Sequence, residues 1–118
     1  MNNVILTGNI VRDVKLGKTK NNKFFLSNVI AVKDGYKTEY EKTYFINFEC
    51  YSQEALKQFK DLKKGNLVEI QGKLVVESYK DKHDNWVNYT RIIVFKVSPV
   101  EFKPKEKEDA EEVDWDKL

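Results

Sequence analysis

The chain has 118 residues, of which 41% are hydrophobic and 13% aromatic, enough for one domain of ordinary size with its own core. Its single cysteine, Cys50, excludes an intrachain disulfide and fits a reducing compartment, and no apolar run is long enough for a targeting or membrane-spanning segment. The net charge of +2 hides an asymmetry: residues 1–103 hold 18 Lys/Arg and 12 Asp/Glu, whereas residues 104–118 hold 3 Lys and 7 Asp/Glu, so a body suited to polyanions precedes an acidic tail.

Val4, Leu6, Gly8 and Ile10 alternate with Asn3, Ile5, Thr7 and Asn9, which predicts a first strand. Gly8 marks a bend or the close approach of another segment. A polar loop around Gly17 leads to a second strand over residues 24–33, and Asp34-Gly35 is a strong turn signal after it. In the third strand, residues 43–51, parity separates an apolar core set (Tyr44, Ile46, Phe48, Cys50) from a mixed set (Phe45, Asn47, Glu49, Tyr51). Ser52 caps a helix of about ten residues whose Ala55, Leu56, Phe59 and Leu62 recur at helical spacing. Lys63-Lys64-Gly65-Asn66 stops it.

The fourth strand, residues 67–80, turns Val68, Ile70, Gly72, Leu74 and Val76 inward and Glu69, Gln71, Lys73, Val75, Glu77 and Tyr79 outward. Beyond a polar tip, the fifth strand, residues 86–97, is apolar on both faces in its middle. One face is expected on the core and the other on a second subunit. Pro99 and Pro104 end the ordered region, and the charged tail reads as disordered. Five strands with one helix between the third and fourth predict an all-β chain, a five-stranded Greek-key barrel of the OB-fold type over residues 1–103.

Four rings lie on polar or basic faces: Tyr36, Phe45, Tyr51 and Tyr79. Rings on a wet, lysine-rich surface stack on the bases of single-stranded nucleic acid. Trp86 is a further stacking candidate, with core or hairpin packing as its alternative; for Phe45 the alternative is packing on a neighbouring strand or subunit. Arg12, Lys15, Lys18, Lys20, Lys23, Lys33, Lys37, Lys73, Lys80, Lys82 and Arg91 are the candidate phosphate contacts. Lys57, Lys60, Lys63 and Lys64, on or after the helix, read as a solvated face.

The chain resembles the bacterial and phage single-stranded DNA-binding protein (SSB) family over residues 1–102. The resemblance rests on Asn3-Val4-Ile5-Leu6-Thr7-Gly8-Asn9-Ile10 with Arg12-Asp13, on Asn28-Val29-Ile30-Ala31-Val32, and on Phe45-Ile46-Asn47-Phe48. It continues through Leu62-Lys63-Lys64-Gly65 into Val68-Glu69-Ile70-Gln71-Gly72-Lys73-Leu74. It implies base stacking at Tyr36, Phe45, Tyr51 and Tyr79, and a homo-oligomer, dimer or tetramer. Familiar bacterial members favour tryptophan at several stacking positions, and this chain has none there. Arg91 stands where a glutamate is familiar and Asn88 where a tyrosine is common. The long Gly/Gln-rich linker is absent, and Trp115 and Leu118 replace the usual proline–phenylalanine tip, so the tail is expected to reach a different replication or recombination partner.

The lone His83 and Cys50 make no zinc set, and no phosphate-binding loop, nucleophilic triad or carboxylate cluster is evident. The expectation is a non-enzymatic, cofactor-free and metal-free protein that coats single-stranded DNA during replication or recombination, in the cytoplasm of a bacterium or phage-infected host. An RNA-binding or RNA-chaperone OB module and a protein-binding accessory subunit are the rivals.

Overall fold

A computed structural model describes residues 1–34 and 41–100. Tyr36, Lys37, Trp115, Leu118 and the acidic tail therefore lie outside the described residues. Among the described residues, six strands and one helix come in the order β1 (Val4–Ile10), β2 (Leu16–Lys18), β3 (Phe24–Asp34), β4 (Lys42–Cys50), α1 (Gln53–Lys57), β5 (Leu67–Lys80) and β6 (Trp86–Pro99). The sheet runs β1-β5-β6-β4-β3, and β1 pairs again with β3, so five strands close into a mixed, OB-fold-like barrel with β2 added along β3. The β4–β6 pairing is parallel and the others are antiparallel.

β2 corrects the expectation of a plain loop after β1. A three-residue strand, Leu-Gly-Lys, has no period of its own; it exists because Leu16, Gly17 and Lys18 pair with Leu26, Phe25 and Phe24. The helix consequently falls between the fourth and fifth of six strands.

Barrel closure depends on Gly8. A side-chain carbon there would strike the Ala31 carbonyl, and the register Asn9↔Ala31, Ile10↔Ile30 is the seam itself. This is the close approach expected of that glycine. Ile10, Leu26, Ile30, Phe48, Val68, Ile70, Ile92 and Val94 fill the interior. The α1 segment plugs one end with Ala55, Leu56 and Phe59, and Phe59 stacks on Phe48 at 5.9 Å between centroids. Ser52 is the cap, its Oγ accepting from the Ala55 N–H at 3.4 Å. The helix is shorter than its apolar spacing predicts. After Lys57 the chain tightens into i→i+3 bonds, such as the Phe59 N–H to the Leu56 carbonyl and the Leu62 N–H to the Phe59 carbonyl.

Asn28 is the buried polar residue of the core, and its amide fastens the loop after β1 to β3. Nδ2 donates to the carbonyls of Arg12 at 3.0 Å and Asp13 at 3.4 Å, while Oδ1 accepts from the N–H groups of Arg12 and Val29. Leaving either end of this amide unpaired inside the barrel would cost roughly 1–3 kcal/mol.

β5 and β6 outrun the barrel. The β4 ladder reaches β6 only at Phe48↔Ile92 and Glu49↔Ile93, whereas β5 and β6 stay paired out to Lys80↔Trp86. The result is a projecting two-stranded arm. Asp81 closes its tip, its Oδ1 accepting from the N–H groups of His83 and Asn85.

The arm overturns part of the inward set. Leu74 and Val76 keep inward parity yet are exposed, because no layer among the described residues lies over that side of the arm. Tyr44 is likewise exposed at the outer end of β4. The register also shifts by one at Gln71↔Lys96 and Gly72↔Val94, leaving Phe95 as an unpaired bulge residue. That slip lets Val94 and Val97 both point inward while Phe95 remains exposed. No helix among the described residues is long and apolar enough to cross a membrane.

Candidate nucleic-acid interface

Strand alternation puts Phe45, Asn47 and Glu49 on the outer side of β4, and Tyr51, the residue after its end, continues that parity. The same side of β5 carries Lys73, Val75, Glu77 and Tyr79, and that of β6 carries Tyr89, Arg91 and Ile93. Pairing across the strands aligns Ser27, Glu49, Ile93 and Lys73 in a single row. The three candidate rings on this surface are open to solvent: Phe45 is 66% exposed, Tyr51 46% and Tyr79 53%.

Tyr51 is held from two directions. Its ring stacks on Phe25 at 5.8 Å with planes 16° apart. Phe25 is itself backed by Gly17, where a Cβ would run into the ring. The Tyr51 hydroxyl donates to Glu49 Oε1 at 3.0 Å. The same oxygen accepts from Arg91 Nε at 2.7 Å, and Oε2 accepts from the Tyr89 hydroxyl at 3.3 Å. Arg91 Nη2 then donates to Glu77 Oε1 at 2.5 Å, and its guanidinium lies 5.2 Å from the Tyr89 ring centre.

One carboxylate thus gathers two phenols and a guanidinium contributed by β4 and β6. The side chains of Glu49 and Arg91 are each only 14% exposed. Partial burial, followed by the bond to Glu49, raises the Tyr51 hydroxyl above its usual pKa. Burial and then the Glu49 charge do the same to Tyr89. The bond to Glu77 leads in pushing Arg91 up, which keeps it cationic. Both phenols therefore remain protonated donors at neutral pH.

The cations divide by place. Lys73 and Lys33 are exposed on β5 and β3 with outward parity. Lys15, Lys18, Lys20 and Lys23 cluster in and around β2 and the turn into β3, with Lys18 Nζ 5.2 Å from the Phe24 ring centre. Arg12 sits in the loop that Asn28 fastens. Lys82 is at the arm tip, and Lys80 there pairs with Asp84 at 3.6 Å. Arg91 is engaged by two carboxylates.

Trp86 is not brought into the ring row. It pairs with Lys80 on the side of the arm opposite Tyr79, and Lys80 Nζ lies 5.3 Å from its ring centre.

A model of the single-strand binding protein family matches residues 1–100. The chain belongs to that family. Among curated members, a single-stranded DNA-binding protein of Deinococcus radiodurans is 34% identical over 96 residues, covering 78% of this chain and 32% of its own length. Single-stranded DNA-binding protein 1 of Streptococcus agalactiae serotype III is 30% identical over 95 residues, covering 79% of this chain and 58% of its own. The chain thus spans about a third to three-fifths of these relatives. A solved structure described as a Plasmodium falciparum SSB complex with ssDNA superposes with a TM-score of 0.74 at 17% identity, covering 86% of this chain and 96% of that one. At that identity the match concerns the fold.

For this SSB-family chain, sequence reasoning placed Phe45, Tyr51 and Tyr79 on one surface but missed Phe25, Tyr89 and the bridging role of Glu49. Parity was an available signal. Phe25 alternates with Leu26, and Tyr89 shares its side of β6 with Arg91. Their contacts with residues of β4 had no signal in the local sequence.

Proposed function

We propose that this chain binds single-stranded DNA without reading its sequence and, as a non-enzymatic coat, protects it during replication or recombination. The observation that carries this reading is the locked ring row: Tyr51 and Tyr89 held by Glu49, Phe25 stacked on Tyr51, and Phe45 and Tyr79 exposed on the same surface. Preset rings accept bases with little ordering cost, and each stack contributes roughly 1–3 kcal/mol. Lys33 and Lys73 meet phosphates beside the row. The loop cations Arg12, Lys15, Lys18, Lys20 and Lys23 extend this contact along the strand, and Lys37 and Tyr36, which lie outside the described residues, are proposed to add to it. Trp86, Lys80 and Lys82 take part where a strand wraps the arm tip. Arg91 acts mainly by holding Glu49 and Glu77.

Titrating poly-dT across a salt series, with tyrosine and tryptophan emission as the signal, tests the reading. Quenching with a steep salt dependence is expected. Tighter binding of a matched RNA oligomer would make the chain an RNA-binding module, and no binding at low salt would make it a protein-binding subunit.

We further propose a homo-oligomer, dimer or tetramer, built on the exposed Ile5 and Phe95. Sedimentation of the Ile5→Ser/Phe95→Ser protein should show a smaller species than the parent; a parent that is already monomeric refutes the assembly. Trp115 and Leu118 in the acidic tail are the proposed contact for a replication or recombination protein, and the setting is cytoplasmic, in a bacterium or phage-infected host.

A further inference from the structure

A second uncovered apolar surface lies apart from the ring row. Leu16 and Phe24, 51% and 43% exposed, join Leu56 and Phe59 in lining an open groove of about 460 Å³ between β2 and α1. Its charged lining residues are Lys57 and Lys60, no described carboxylate lines it, and Lys18 Nζ stands over the Phe24 ring. Lys57 and Lys60 thus border apolar surface instead of forming a simple solvated face. Phe24 and Phe25 alternate along β3, so groove and ring row use opposite sides of one strand.

β2 also leaves one backbone edge open. The bond from the Thr19 N–H to the Lys23 carbonyl makes these two residues a hydrogen-bonded pair of the β2–β3 hairpin. Alternation along an antiparallel ladder then makes Lys18↔Phe24 and Leu16↔Leu26 non-hydrogen-bonded pairs, with Gly17↔Phe25 bonded between them. The N–H and C=O groups of Leu16 and Lys18 therefore point away from β3, and β2 ends the sheet among the described residues. Edge groups of this kind are a template for an added strand. Leu16 lines the groove and Lys18 shares its side of β2, so a strand laid on this edge turns every second side chain toward the groove.

We propose that the β2 edge and this groove take an extended acidic segment of a partner protein by strand addition. Its backbone pairs with Leu16 and Lys18. Its groove-side apolar residues rest on Leu16, Phe24 and Leu56, and acids flanking them on the same side meet Lys57 and Lys60. Nucleic acid fits less well here: Phe59 is buried and Lys18 stands over Phe24, so bases find little to stack on. A second copy of β2 fits less well too, because its own Lys18 would meet this one. The open edge, the groove and its lysines carry this docking independently of what the ring row binds.

Two-dimensional ¹⁵N NMR of the full chain, titrated with the end-blocked peptide ETFTVTE, tests this. The Glu, Phe and Val side chains of that peptide share one side when it is extended. The amide signals of Leu16, Lys18, Phe24 and Leu56 should shift, and the Leu16 and Lys18 amides should exchange with D₂O at least about tenfold more slowly, the mark of strand pairing. The peptide KTFTVTK should bind at least about tenfold more weakly, and Lys57→Glu/Lys60→Glu, whose altered side chains are exposed, should reverse that order. Leu16→Pro removes an outward N–H at an edge position, where proline is tolerated, so this variant should melt like the parent and lose the peptide. Absence of binding, equal binding of the two peptides, or shifts at Phe45, Tyr51 and Tyr79 instead would each overturn the proposal. Groove shifts without slower exchange at Leu16 and Lys18, or a folded Leu16→Pro protein that binds like the parent, would overturn it as well.

Discussion

Replacing Tyr51 by alanine is the sharpest test of the ring row. The side chain does three things at once: it offers a half-exposed face, stacks on Phe25 at 5.8 Å, and donates to Glu49 at 3.0 Å. Loss of one base stack is worth roughly 1–3 kcal/mol, a weakening of about 5- to 150-fold in Kd. Loss of the Phe25 pair costs the fold about 0.5–1.5 kcal/mol, too little to unfold a domain of this size. Tyr51→Phe separates ring from hydroxyl. It keeps both stacks and gives up only the bond to Glu49, so affinity should stay within about fivefold of the parent. The assay is fluorescence anisotropy of a labelled dT oligomer at fixed salt, with a thermal melt of each variant as the folding control. A folded Tyr51→Ala protein that binds like the parent refutes the stacking argument. A Tyr51→Phe protein as weak as Tyr51→Ala would shift the effect from the ring to the Glu49 bond.

Lys73→Gln should flatten the dependence of log K on log salt by about 0.7, the increment for one phosphate contact on a single strand, and an unchanged slope in the same titration removes Lys73 from the interface. Gly8→Ala forces a methyl group into the Ala31 carbonyl at the barrel seam, so urea unfolding should show a loss on the order of 3 kcal/mol; a loss below about 1 kcal/mol would mean the seam yields easily. The fully buried Cys50 thiol is pushed up by burial from 9.0 to about 11. Its unfolded form releases the proton first, so this contribution to stability is complete below pH 9 and declines as pH rises from 9 to 11. The decline is at most about 2–3 kcal/mol, and Cys50→Ala should remove it from the pH profile of the denaturation midpoint, leaving the smaller fall in the same direction from Tyr51 and Tyr89.

The parts of the fold that announce themselves in sequence are those with an uninterrupted period of two. β4 yields its two faces directly, and with them Phe45 and Tyr51; β5 yields Tyr79. Period fixes which side a residue takes but not whether anything lies over that side. Leu74, Val76 and Tyr44 were therefore expected in a core that does not reach them. The Phe95 bulge has no local mark either, because Val94-Phe95-Lys96-Val97 could be read in two registers until β5 selects one. β2 is too short to have a period. The ionic bridge from Glu77 through Arg91 to Glu49 joins three strands, and local reasoning offered Arg91 only as a free cation.

That bridge also bears on how a strand would lie in the proposed interface. An acid near the middle of a surface for a polyanion calls for a physical reason. Glu49 and Glu77 share one guanidinium, so the cluster carries a net negative charge. A phosphate placed about 4 Å from it would be repelled by about 4 kcal/mol at an effective dielectric of 20. Stacked bases are neutral and meet no such term. The cluster therefore favours bases over the strip formed by Tyr51, Tyr89 and Glu49 and drives phosphates outward, toward Lys73 at the end of the Ser27–Glu49–Ile93 row and toward Lys33 on β3. In the proposed interface, the carboxylate that fixes the rings would also keep the backbone away from the centre of the surface. Glu49→Lys would lose the bonds to Tyr51 and Tyr89 and invite phosphates into the strip where stacking is proposed.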